Sequence, residues 1–136
     1  MRLIAILTIL FTLCAPAILQ AHHSVMRGYD TQSEVRIEGT IHATEWRNPH
    51  SRIVVLVKDH SGKTVRWTVE TNAAETIDRL GPAAGFSRAD FAIGKPVTMG
   101  GWKGRQGNRL FLTWAQFDDG HKVSWRSVQA SKRDTQ

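Results

Sequence analysis

The sequence predicts a mainly β protein: a small five-stranded barrel of OB type with one helix between its third and fourth strands. Three observations predict it. Apolar and polar residues alternate in short runs separated by Gly, Asn, Asp and Pro. The period becomes helical over only one clear stretch, near residues 72–80. Three strands, a helix and two more strands is the order of an OB-fold, which binds ligands across strands two and three, between the loops joining strands one to two and four to five.

The first strand is read from Val35, Ile37, Gly39, Ile41 and Ala43, which alternate with Arg36, Glu38, Thr40 and His42. Gly39 inside it predicts a bend or bulge, as a strand curling round a small barrel requires. Asn48-Pro49 ends the strand. "RIVVLV", Arg52 to Val57, is apolar on both faces and reads as a central strand; "DHSGK" is a hairpin turn; "TVRWTVE", Thr64 to Glu70, alternates again. Asn72 with Glu75 three residues later resembles a capping pair, opening a helix to Leu80 that Gly81-Pro82 closes. Lys95 to Trp102 and Arg109 to Phe117 supply strands four and five, joined by "KGRQGN", and "VSW" is a candidate short extra strand. The polar tail, residues 127–136, is expected to be loose.

The N-terminus reads differently. Arg2 followed by the apolar run Leu3 to Leu13 and then small residues has the pattern of a secretory signal peptide, too short for a comfortable membrane span. Cutting after Ala21 exposes His22 as the new terminus; cutting after Ala17 gives the tidier Ala15-x-Ala17 pattern and leaves the histidines inside a short tail. Cys14 falls in the leader by either reading, so the remaining chain has no cysteine and must be held by its core. The expected organisation is a leader over 1–21, one barrel domain over 22–126 and the tail, in the periplasm or secreted. The leader holds one base and no acid, so its removal takes the formal charge from +6 to +5. That balance favours anionic partners by electrostatic steering, with export making nucleic acid an unlikely one.

Among groups able to carry chemistry, no helical H-x-x-x-H, C-x-x-C or calcium-loop pattern is present. The adjacent pair His22 and His23 remains. If His22 is the mature terminus, its α-amine and imidazole can hold one ion together. With a third nitrogen the set suits Cu(II), which favours amine and imidazole nitrogen in tetragonal geometry. His50, in the loop "EWRNPH", is the preferred third ligand, with His23 next; His42, His60 and His121 are expected to be merely solvated. Copper is therefore the candidate cofactor. The rival ligand is an anionic small molecule or glycan, for which Trp46, Asn48, Glu70, Trp102, Arg105 and Arg109 are the candidate binding residues on the barrel face. Neutralising Arg105 and Arg109 is expected to weaken such binding with little loss of stability. Trp67, between Val65 and Val69, is expected in the core. Glu45 and Glu70 could meet across neighbouring strands, a weak acid–base signal, and no catalytic constellation is recognised.

The motifs "AHHSV…YD", "EGTI", "W-R-NPH", "DHSGK…W-T-V-E" and "G-K-P-V", in that order, resemble domain-of-unknown-function family 6152, small exported bacterial proteins. The resemblance runs from about His22 to His121. It implies a leader followed directly by His-His-Ser, which favours cleavage after Ala21, and it implies no particular activity. His22, His23, Trp46, Asn48, Pro49, His50, Trp67 and Glu70 match. Val25 replaces a usual aromatic and Lys95 a common aspartate, departures that touch local packing and turn chemistry.

Overall fold

A computed structural model of the chain describes residues 27–125. The expected leader, His22, His23 and the tail lie outside the described residues. The strands are β1 (Tyr29–Glu45), β2 (Ser51–Lys58), β3 (Thr64–Thr71), β4 (Pro96–Gly104), β5 (Arg109–Phe117) and β6 (Lys122–Ser124). One helix, α1 (Ala74–Leu80), and two 3₁₀ turns, Pro82–Ala84 and Arg88–Phe91, lie between β3 and β4.

The sheet runs β3-β2-β1-β4-β5-β6, and a parallel pairing of β3 with β5 joins it back on itself. That order and closure make the fold OB-like. β1 serves both halves: Tyr29–Thr40 pair with β4, while Gly39–Glu45 pair with β2. Gly39 stands where the strand changes partner. A Cβ there would overlap the Leu56 carbonyl oxygen, so glycine is what lets three strands converge. The register irregularity with β2 falls just beyond, between Ile41 and Ala43.

The barrel interior is filled by Ile37, Ile41, Ile53, Val55, Val69, Met99, Leu110 and Leu112, all essentially buried. Ile77 from α1 and Phe86, Phe91, Phe117 and Trp125 extend the same core. Phe86 lies 4.8 Å by ring centroid from both Phe91 and Trp125. The sixth strand thus ends by delivering Trp125, whose Nε1 donates to Thr71 Oγ1 at 3.2 Å. Inward residues on β5 change parity, from Leu110 and Leu112 to Ala115 and Phe117. A bulge at Thr113 accounts for this: Trp114 pairs with Gly100 and Leu112 with Gly101, leaving one residue over.

The helix starts two residues later than expected and is not capped by Asn72. Its N-cap is Ala73, which makes no side-chain cap. Asn48 supplies the missing acceptor from the β1–β2 loop, its Oδ1 taking the Glu75 backbone N–H at 3.4 Å. The Ala74 N–H donates to the Arg47 carbonyl at 3.0 Å, tying the same two segments. Asn48→Ala should therefore lower stability by about 0.5–1 kcal/mol and the thermal midpoint by about 3–6 °C. Far-UV circular dichroism melts check this, and an unchanged midpoint would show that the cap contributes nothing.

Candidate functional site at the barrel rim

The β1–β2 loop, the end of β3, the end of β4 and the start of β5 converge at one rim. Glu70 sits at the centre, 8% exposed. Its parity on β3 is outward, since Val69 fills the core; it is buried because side chains cover it. Arg109 closes on one carboxylate oxygen in a charge-assisted hydrogen bond from its Nη2. His50 Nδ1 faces the other oxygen at 3.8 Å. The same Arg109 Nη2 donates to the Tyr29 hydroxyl at 3.3 Å, with the guanidinium 5.3 Å from the centre of the Tyr29 ring.

Phe111 is the apolar floor of this cluster. Tyr29 and His50 meet it edge-on at 5.5 and 6.0 Å between centroids, and Trp102 stacks on it at 5.7 Å. Trp102 and Phe111 are register partners across β4 and β5, which sets the stack. Beside Glu70, a cavity of about 250 Å³ is lined by Arg47, Asn48, Pro49, His50, Arg52 and Glu70.

The electrostatics follow from burial. Burial pushes the Tyr29 phenol up to about 12, helped by the nearby Glu70 charge and only partly opposed by Arg109. The hydrogen bond to Glu70 holds the Arg109 guanidinium more firmly protonated than usual. One carboxylate, one guanidinium and one neutral phenol thus form a satisfied network, with His50 at its open side.

Of the expected site residues, His50, Glu70, Trp102 and Arg109 come together here, and Asn48 lines the adjoining cavity while capping α1. Arg105 is exposed on the β4–β5 turn, its backbone N–H donating to Gly28. Trp46 turns elsewhere: it packs edge-on to Phe91 at 5.9 Å with the Arg88 guanidinium 5.8 Å from its ring centre. Trp67 is half-buried against the core. Glu45 and Glu70 are not on neighbouring strands, because β2 lies between them and Arg52 is in register with both. Glu45 instead pairs with Arg47 at 3.1 Å. His42 and His60 are exposed, whereas His121 is anchored, its Nε2 2.9 Å from the Gly85 carbonyl oxygen and its ring edge-on to Phe117.

Tyr29 and Phe111 were not among the expected site residues. Phe111 interrupts the alternation of a strand whose neighbours Leu110 and Leu112 point inward; an aromatic on the outer face is the signal that something covers that face. Tyr29 is the chain's single tyrosine, just ahead of the readable β1 pattern.

The fold and site define an OB-like barrel with a polar and aromatic cluster at its rim. The chain belongs to DUF6152, a family of unknown function, whose family model matches residues 10–113. No curated protein matches it. Among solved structures, it is similar to Rim1, a mitochondrial single-stranded DNA binding protein of S. cerevisiae. Identity is 12%, with 63% of this chain and 93% of that one covered and a TM-score of 0.46. It is also similar to the N-terminal domain of the PriB protein of Thermoanaerobacter tencongensis, at 14% identity, 63% and 96% coverage and a TM-score of 0.47. Among the described residues, no three His, Cys, Asp or Glu side chains come together as a metal site, and no helix is long and apolar enough to cross a membrane.

Proposed function

We propose that the protein is a periplasmic small-ligand binding protein that holds a copper ion, or a related transition metal, at this rim through His22, His23 and His50. The observation that carries the reading is the placement of His50. Its Nδ1 faces the Glu70 carboxylate, itself fixed by Arg109. The 3.8 Å separation is longer than a hydrogen bond, and a small closing rotation of the ring would make the carboxylate the partner of one nitrogen while the other binds a metal. The remaining ligands must come from the N-terminal histidines, and chain length permits it. Tyr29 shares the Phe111 ring with His50. The seven residue-to-residue steps from His22 to Tyr29 span up to roughly 23–25 Å.

A second reading is favoured by the cavity beside Glu70. Arg47, Arg52 and His50 line it and Trp102 stacks nearby, a combination suited to an anionic small molecule or glycan. Calorimetry and electron paramagnetic resonance on the processed chain separate the two. The metal reading expects one Cu(II) in nitrogen coordination, abolished by His22→Ala and weakened by His50→Ala. One extra residue before His22 should weaken it nearly as much, by moving the α-amine. Acid should release the ion, because amine and imidazole must be unprotonated to bind it. Equal copper binding by the parent, His22→Ala and His50→Ala overturns the reading; salt-sensitive binding of an anion lost with Arg52→Gln supports the rival.

A further inference from the structure

β1 is longer than the strands beside it. Its pairing with β4 runs from Tyr29 to Thr40, broken by an irregularity between Asp30 and Glu34 and continuous from Glu34 on, but its pairing with β2 begins only at Gly39. Beyond Val57 and Lys58 the β2–β3 hairpin turns back through Asp59–Lys63. Val35 to Glu38 are therefore held by β4 on one side and by no strand on the other, among the described residues. A cleft of about 900 Å³ reaches this stretch at Arg36 and Glu38 and is lined as well by Lys58 and Thr64 of the β2–β3 hairpin and by Thr98 and Gln116 of β4 and β5. Backbone groups along such an edge are a template for another strand, and natural edges are commonly blocked by proline, lysine or a covering element. Residues 34–38, "EVRIE", contain no proline, and their charges, Glu34, Arg36 and Glu38, are of both signs, so they repel a strand of one charge but can be matched by a strand of complementary pattern.

We propose that this edge pairs antiparallel with the same edge of a second copy of the chain, about a two-fold axis at Val35. The charge pattern selects both the occupant and the register. With Val35 opposite itself, Glu34 faces Arg36 of the second copy and Arg36 faces its Glu34, two opposite-charge pairs on one face. Glu34 and Arg36 are both exposed on the outer side of β1, Glu34 Oε1 also accepting from Trp114 Nε1 at 2.8 Å, while Ile37 points into the core. Moving the axis to Ile37 would bring Val35 opposite Gly39, whose β2 side is already filled by Val57. The Val35 register avoids that collision and pairs residues 33–37.

Sedimentation equilibrium of the purified chain tests this, with charge reversals that leave the core untouched. The parent should sediment with the mass of two chains. Glu34→Arg alone and Arg36→Glu alone place like charges opposite each other twice and should each weaken self-association on the order of tenfold or more. Combining Glu34→Arg with Arg36→Glu restores opposite charges and should return affinity to within a few-fold of the parent. Circular dichroism spectra matching the parent establish that each variant is folded. A single-chain mass at every concentration overturns the proposal, including the case where the segment after Trp125 covers the edge. So do single reversals that leave the association unchanged, or a double reversal no tighter than the singles.

Discussion

Arg109→Ala is expected to lower folding stability by about 2–3 kcal/mol and the thermal midpoint by on the order of 10 °C. The side chain of Glu70 is 11% exposed, so removing Arg109 leaves a carboxylate out of water with its principal partner gone. Breaking a fully buried pair costs about 3–5 kcal/mol. The value here is lower because the Arg109 side chain is 42% exposed and water screens part of the interaction. Tyr29 also loses its guanidinium donor. Glu70→Gln should cost less on its own, and adding it to Arg109→Ala should recover part of the loss, since no buried charge then remains. Arg105→Ala, on the exposed turn, should leave the midpoint within about 2 °C. Thermal and urea melts of the four variants measure this. A parent-like midpoint for Arg109→Ala would show that Glu70 does not depend on it. Little loss of stability on neutralisation is therefore expected for Arg105 but not for Arg109, which is built into the rim.

The second large effect is alkaline. The Tyr29 phenol ionises at about 12 in the folded protein against 10.0 ordinarily. Between those two values the unfolded chain releases a proton that the folded chain retains. Stability is therefore fully present below about pH 10 and falls as pH rises towards 12, by on the order of 2 kcal/mol. Tyr29→Phe should remove that decline. The chain has one tyrosine, so its ultraviolet titration reports this site directly. A native-state midpoint near the ordinary phenol value would contradict the burial of the hydroxyl against Glu70 and Arg109.

Elements whose signal lies in neighbouring residues were legible from the chain alone. The alternation of β1 and β3 needs only the two-residue period of a strand, and the run Arg52 to Val57 only its unbroken apolarity. Arg109 to Phe117 has the expected bounds in the structure. The order of strands and helix then restricts a small β protein to few topologies, which is why the OB-like class is legible in the sequence. Gly39 stands out in the sequence as a glycine inside an alternating strand, and its close approach to Leu56 is the reason no side chain fits there.

What tertiary structure decided is what depends on residues distant in sequence. The cap on α1 comes from Asn48, 27 residues before Glu75. The nearer pair, Asn72 and Glu75, has the right local spacing, but the β1–β2 loop delivers an acceptor to the same N–H groups. The Thr113 bulge reverses the inward parity of β5 halfway along, so no single alternation could assign all its residues to a face. The rim cluster joins Tyr29, His50, Glu70, Arg109 and Phe111, brought together by closure of β3 on β5 and by the return of the β1–β2 loop. Residue type alone suggests that Glu70 and Arg109 are exposed and available. Barrel closure instead covers the carboxylate, and the energy needed to leave it unpaired makes the arginine its partner.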